Sequence, residues 1–306
     1  MNYLKKTSLL ILLFLAACFP KEDAVEPTPR VNKSVSLFGA DVKNNVLFYS
    51  LDDSSIVAEA SPMDWDFYVD DEVVRINYFR GMRVATFNDT WDKLEDTVGL
   101  DFRYLTIDNE SPLTQWELAE DQIYVVDYGL DNTGNPIGLT SVRFERVADG
   151  LKIWYNPIGS DFEVFEEVKE ASFYYNLRDK QALDLPTEKE YDLGFGSYVD
   201  LATVDGITLE YPVYGVIQAK TLAYAEDTAF ADVKSALVDD NKYSEKKNIL
   251  GWDWKNFNLA KGTYEIVENR TYLVNSIKGF DYKLRFVSFI NDSGESGYPT
   301  FEWELL

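Results

Sequence analysis

Short runs in which apolar, β-branched and aromatic side chains alternate with polar ones recur along the chain. They predict strands over Phe67–Asn77, Ile123–Tyr128, Ser141–Val147, Gly206–Val216, Thr271–Ile277 and Tyr282–Phe289. The gaps carry turn chemistry. Asp131-Asn132-Thr133-Gly134-Asn135-Pro136 separates two of these runs and Lys278-Gly279 separates the last two, so both pairs read as hairpins. Helical periodicity is sparse. Asp89–Thr97 and Ala229–Val238 each have the length of one short helix, the second with Phe230, Val233 and Leu237 at i, i+3 and i+7. The expected fold is mainly β.

The chain also resembles itself. Val46–Asp53 aligns with Ser172–Asp179 at an offset of 126, and Trp65-Asp66-Phe67 meets Tyr191-Asp192-Leu193 at the same offset. Further on, Trp116-Glu117-Leu118 with Tyr124-Val125-Val126 matches Tyr264-Glu265-Ile266 with Tyr272-Leu273-Val274, and Val142-Arg143-Phe144 matches Leu284-Arg285-Phe286. The order is the same and only loop lengths differ. Residues 36–165 and 166–306 therefore read as two similar antiparallel β modules in tandem, each with about one short helix, joined near the acidic stretch Asp161–Glu170.

The N-terminus carries an address. Lys5 and Lys6 precede the apolar run Leu9–Ala17, which is too short to span about 30 Å of hydrocarbon and reads as a signal peptide over residues 1–17. Leu15-Ala16-Ala17-Cys18 resembles the lipobox of bacterial lipoproteins, in which the cysteine becomes the acylated first residue. Cys18 is the one cysteine of the chain, so its lipidation leaves no thiol for a disulfide, a metal or a nucleophile. The acidic, Pro-rich residues that follow make 18–35 a solvated spacer, and its Lys21-Glu22-Asp23 resembles the short acidic signal of surface-exported lipoproteins. The expected location is the outer membrane, with the body held at the cell surface by a lipid anchor.

Composition narrows the chemistry. The 306 residues are 46% hydrophobic and 15% aromatic, which suits packed β structure, and a net charge of −24 has the wrong sign for coating phosphate, so no nucleic-acid partner is expected. There is no histidine. That excludes His-based triads and imidazole acid–base catalysis, and 53 carboxylates produce too many close pairs for spacing to select a catalytic one. No catalytic residue is assigned, and the expected class is a binding protein and not an enzyme. Asp131-Asn132 and Asp239-Asp240-Asn241 lack the terminal Glu of a calcium loop and read as solvated turns, while Gly194-Phe195-Gly196 lacks the third glycine of a phosphate loop.

Several motifs together resemble the HmuY family of Bacteroidetes surface lipoproteins. They are the aromatic strands Leu47–Leu51 and Phe173–Leu177, the following Trp65-Asp66-Phe67 and Tyr191-Asp192-Leu193-Gly194-Phe195, the closing strand Tyr282–Phe289, and the terminal run Asn291–Trp303. The resemblance covers most of residues 166–306 and, more faintly, 40–147. It implies a mostly β fold, capture of haem at the cell surface, and association with a TonB-dependent outer-membrane receptor. In the family, haem iron is held by two histidines between the Trp-Asp strand and the final hairpin, or in some relatives by methionine. This chain has no histidine to place there, so the resemblance points to Met82, with Met63 outside the interval, in the first copy. The second copy has no methionine and leaves Tyr211, Tyr214, Tyr224 and Tyr243. Both methionines also fit ordinary packing, Met63 under a loop and Met82 in a core gap. The residues themselves require no cofactor. A second reading stays open, in which the module has no ligand site and binds a partner protein or a glycan.

Overall fold

The computed structural model describes residues 32–36, 41–70, 74–104, 122–131, 133–148, 150–158, 164–168, 172–204 and 206–306. Cys18, the leader at 1–17 and the Trp116-Glu117-Leu118 motif lie outside the described residues. In chain order the strands are β1 (Asn32–Ser36), β2 (Val46–Ser50), β3 (Ser55–Ala60), β4 (Phe67–Val69), β5 (Val74–Ile76), β6 (Arg83–Phe87), β7 (Arg103–Tyr104), β8 (Ile123–Asp127), β9 (Leu139–Val147), β10 (Gly150–Pro157) and β11 (Val164–Val168). They continue as β12 (Phe173–Asn176), β13 (Gln181–Leu183), β14 (Leu193–Val204), β15 (Ile207–Gln218), β16 (Leu222–Glu226), β17 (Lys255–Asn258), β18 (Thr263–Ile266), β19 (Thr271–Asn275), β20 (Asp281–Ile290) and β21 (Ser296–Leu305). The fold is mainly β.

The strands form antiparallel sheets in the orders β1-β21-β20-β19-β16, β11-β10-β9-β8-β6-β7, β13-β12-β4-β5 and β15-β14-β2-β3, with β17-β18 as a separate hairpin. Strands from the first and second halves of the chain pair in several of these sheets, β1 with β21 among them. β2 pairs with β14 through Leu47↔Phe195, Phe48↔Gly194 and Tyr49↔Leu193, and β12 pairs with β4 through Phe173↔Val69, Tyr174↔Tyr68 and Tyr175↔Phe67. Adding 126 to one residue of each pair and subtracting it from the other converts the first set into the second. The two pairings are thus related by a local pseudo-twofold, and each half completes a sheet of the other.

Buried carboxylates close both pairings in the same way. Asp66, just before β4, accepts the Leu177 N–H on Oδ2 at 2.8 Å, and its own N–H donates to the Tyr175 carbonyl. Asp192, just before β14, accepts the Leu51 N–H on Oδ2 at 2.7 Å, and its N–H donates to the Tyr49 carbonyl. Both carboxylates are fully buried. Between them lies a shared aromatic core in which Phe48 meets Tyr191 edge-on at 4.8 Å and Trp65 meets Tyr174 edge-on at 5.5 Å, again one contact repeated at 126.

The second oxygen of each carboxylate distinguishes the halves. Oδ1 of Asp66 binds the guanidinium of Arg80, itself fully buried, and that of Arg178 at 3.2 Å; both guanidiniums also lie over the Tyr128 ring. Oδ1 of Asp192 accepts only a main-chain donor, the Ile277 N–H at 2.9 Å. The residue equivalent to Arg178 at the offset of 126 is Asp52.

The structure corrects several sequence expectations. The run Phe67–Asn77 is two paired strands, β4 and β5, because the acidic Asp70-Asp71-Glu72 interrupts it. Neither expected helix forms; 89–97 and 229–238 contain only the 3-10 turns Trp91–Lys93 and Ser235–Leu237. In the first, Asp89 and Asp96 side chains take the N–H groups of Thr90 and Val98, competing with helical bonds. In the second, the carbonyls of Phe230 and Val233 accept from the buried Lys283 ammonium, both at 3.1 Å, and Leu237 turns outward. The end of the expected 18–35 spacer, residues 32–35, belongs to β1 and pairs with β21. The hairpins at Asp131–Pro136 and Lys278-Gly279 form, with Gly279 at φ 83°. The Asp131 carboxylate accepts N–H groups of its own turn, as does Asp239, and Gly194-Phe195-Gly196 lies inside β14.

One long hairpin extends from this interlock. β14 and β15 pair over their whole length, from Leu193↔Gln218 to Val204↔Ile207. At its base Gly215 packs against the Gly251 main chain, whose carbonyl oxygen would stand 2.4 Å from a Cβ at position 215. A backbone atom cannot swing aside, so Gly215→Ala is expected to cost about 1–3 kcal/mol in urea unfolding. Asp66→Ala, which leaves the Arg80 guanidinium buried without an anion, is expected to cost about 3–5 kcal/mol in the same measurement.

Candidate functional site

Exposed aromatic side chains gather where β15 passes the β17–β18 hairpin. β15 is the outer strand of its sheet, and alternation along it sets Ile207, Leu209 and Tyr211 on one face, 61%, 57% and 56% exposed. Tyr214 lies on the other face, half-buried against the core of Leu47, Phe195 and Val216. On the hairpin, Phe257 is half exposed and meets Tyr264 edge-on at 5.1 Å, and Tyr264 in turn meets Phe289 at 5.0 Å. Burial raises the pKa of the Tyr264 hydroxyl, and the nearby phenols of Tyr211 and Tyr214 push it further in the same direction. Tyr214 and Tyr264 pack on one core with Phe257 against Tyr264, and Tyr211, from the other face of β15, comes near the Tyr264 hydroxyl. The four make an aromatic patch around Tyr264 that is partly open to solvent and suited to stacking on flat or ring-shaped ligands.

A buried lysine fixes the hairpin against β15. The Lys255 ammonium donates to the main-chain carbonyls of Tyr214 at 2.5 Å and Trp252 at 3.2 Å, and lies 4.1 Å above the Trp254 ring and 4.5 Å from that of Phe289. Trp254 stacks on Phe286 at 3.9 Å beneath it. Burial brings the Lys255 pKa down to about 7, with Asp253 opposing the change. The lysine thus ties β17 to β15 at the root of the patch through hydrogen bonds and ring contacts.

The residues singled out from the sequence fall in different places. Met82 is 2% exposed in a core with Phe67, Val69, Ile76 and Val84. Met63 is half-buried in the turn after β3, where its carbonyl accepts from Arg178 at 2.8 Å. Tyr224 and Tyr243 meet edge-on at 5.0 Å beside Val233 and Leu273; the Tyr243 hydroxyl donates to Asp281, and the Tyr224 hydroxyl accepts the Asp239 N–H. Met82, Tyr214 and the Tyr224–Tyr243 pair thus belong to three separate packed clusters. Tyr211 and Tyr214 belong to the aromatic patch. Sequence reasoning missed Phe257, Tyr264 and Lys255, since no spacing rule relates β17 and β18 to β15. Among the described residues no group of three or more His, Cys, Asp or Glu side chains could hold a metal, and no helix is long and apolar enough to cross a membrane.

The Lys255 environment has a measurable signature. Its folded-state pKa lies below the unfolded value, so the unfolded chain binds the extra proton between pH of about 7 and about 10.5, and folding gains stability as pH rises through that window. Relative to Lys255→Met, the thermal midpoint of the natural chain is expected to rise from pH 7 to pH 10.

The family model described as HmuY protein matches residues 169–303. Solved structures to which the chain is similar include an apo HmuY analogue from Tannerella forsythia, at 10% identity and TM-score 0.38, covering 92% of this chain and 98% of that one. Another is apo PinO from Porphyromonas gingivitis, at 6% identity and TM-score 0.36, with the same coverage. No curated protein matches. The stretch matched by the family model, residues 169–303, carries the β14–β15 arm and the aromatic patch.

Proposed function

We propose that this protein is a surface-tethered binding protein of HmuY type, anchored through an acylated Cys18, that captures haem or another flat, largely apolar ligand and passes it to a TonB-dependent outer-membrane transporter. The observation that carries the reading is the patch of Tyr211, Tyr214, Phe257 and Tyr264, which lies inside the segment matched by the family model. Rings held by a packed strand and hairpin offer a face for stacking at little cost in side-chain entropy. With no histidine in the chain, a ligand to haem iron would come from a tyrosine or a methionine. Tyr211 is the most open of the six side chains considered, whereas Met82 would have to leave its core.

A second reading is an interaction lipoprotein that binds a partner protein or a glycan. The absence of imidazole and the burial of Met82 favour it, and an aromatic patch also stacks on sugar rings.

Absorbance titration with ferric and ferrous haem, on purified chain lacking residues 1–18, separates the two. Haem capture at the patch predicts a saturable one-to-one Soret shift, weakened at least tenfold by Tyr211→Ala and left in place by Met82→Ala. Loss of the shift in Met82→Ala alone would move the ligand to the first copy. A featureless, non-saturating spectrum would reject haem and leave the interaction reading.

A further inference from the structure

Of the two carboxylate knots, the one at Asp66 holds a cation whose donors are only partly used. The Arg80 side chain has no exposed surface, and its Nη1 donates to Oδ1 of Asp66 and, at 3.3 Å, to the Trp65 carbonyl. Nε and Nη2 are buried and have no hydrogen-bond partner in the structure. These two nitrogens form one edge of the guanidinium, with parallel N–H bonds set to grip a single acceptor or the two oxygens of one oxyanion. A buried donor left without a partner costs about 1–3 kcal/mol, and more where it is charged. An idle fork is thus an expensive feature at the joint that sets the β4–β12 register.

Charge points the same way. Arg178 donates to the same Oδ1 at 3.2 Å and to the Met63 carbonyl at 2.8 Å, so two guanidiniums stand on one carboxylate and the cluster carries a surplus positive charge. Among the described residues, Asp66 is the only carboxylate ion-paired with either arginine. The nearest acids in sequence are turned elsewhere: Asp64 accepts the Ser61 N–H at 2.9 Å, and Asp179 accepts from Asn176 at 3.0 Å. Tyr128 offers both guanidiniums the face of its ring, 5.4 Å and 5.7 Å away, which supplies no formal charge. Burial lowers the Arg80 pKa; Asp66 opposes the change and the Arg178 charge adds to it. The unused fork and the surplus charge are separate observations. A bound anion answers both, whereas a water molecule answers only the first.

We propose that the Asp66 knot is a binding site for a small monovalent anion, of chloride or nitrate size, held by Nε and Nη2 of Arg80. The guanidinium then lies between two anions, with Asp66 on Nη1 and the bound ion on the opposite edge. The enclosure of Arg80 excludes larger anions, and the partly exposed Arg178 marks the side from which the ion enters. A ligand that binds the folded chain and not the unfolded one adds stability with the logarithm of its concentration, so the ion fastens the joint between the halves. The site is built on the β4–β12 pairing and does not rest on the ligand-capture reading.

Crystals grown with bromide in place of chloride test the site without a variant. An anomalous peak within hydrogen-bond reach of Nε and Nη2 of Arg80 is expected; a water molecule or a neighbouring side chain on that edge would overturn the site. Thermal unfolding at constant ionic strength, with chloride exchanged for the larger gluconate, separates binding from screening. The midpoint is expected to rise between about 10 and about 300 mM chloride and then level off. Arg178→Gln removes the surplus charge and leaves the Arg80 fork in place, so it should raise the chloride concentration at half effect by about tenfold or more. Arg178→Lys keeps the charge and should stay within about threefold of the natural chain. A midpoint indifferent to chloride would make the bromide an adventitious ion only, and an equal response in Arg178→Gln would trace the effect to other sites. Either result overturns the proposal.

Discussion

The structure depends on a buried carboxylate at the start of a short strand accepting a main-chain N–H from the other half of the chain. β2 and β12 are buried at every position, so neither has a polar face to report a wrong alignment. A one-residue slip is normally punished by turning apolar side chains into water. Here it would exchange one buried aromatic for another, as in Leu47-Phe48-Tyr49 or Phe173-Tyr174-Tyr175. Asp66 and Asp192 supply the missing penalty, because a slip strands a fully buried carboxylate without its N–H donor at Leu177 or Leu51. Register is thus set by two polar contacts inside an otherwise aromatic core.

With that register in place, the position of the patch follows. β14 is twelve residues long, is held at its base by β2, and beyond Phe195 pairs with β15 alone among the described strands. The β17–β18 hairpin is brought to this arm by contacts that tolerate little change: Gly215 against the Gly251 carbonyl, the Val216 N–H donating to the same carbonyl at 2.9 Å, and Lys255 donating to Tyr214. Two main-chain carbonyls and two ring faces surround the amino group, so it is held there without a counter-ion. The patch therefore sits on elements fixed by backbone contact and not on loose loops.

How much of this was legible in the sequence varies by kind of interaction. Alternation and β-branched or aromatic content located Ile123–Tyr128, Ser141–Val147, Gly206–Val216 and Tyr282–Phe289 as strands, although β8 is buried on both faces and β15 is exposed on both over residues 209–212. It misread Phe67–Asn77, whose two short strands share one apolar character, and it suggested helices at 89–97 and 229–238, where aspartate side chains and Lys283 claim the backbone groups a helix would use. The offset of 126 singled out the Trp65-Asp66 and Tyr191-Asp192 motifs, but nothing in a linear string shows that each carboxylate reaches into the opposite half. Tyr211 and Tyr214 were marked as candidates for their place in the chain. Phe257, Tyr264 and Lys255 were not, because their relation to β15 exists only in three dimensions.

The pseudo-twofold also explains why one scaffold can carry two electrostatic characters. Backbone donors at Leu51 and Leu177 satisfy one oxygen of each carboxylate regardless of sequence elsewhere, which leaves the other oxygen free to vary. In one half that oxygen meets the guanidiniums of Arg80 and Arg178, which balance the buried charge. In the other it meets only Ile277, with Asp52 where an arginine would stand, and the main chain holds the carboxylate. The Asp192 knot has a counterpart of neither Arg80 nor Arg178, and at the position equivalent to Arg178 an anion replaces the cation. The interlock holds the halves together, and the group at the second oxygen decides whether a joint is closed by side-chain cations or by the main chain.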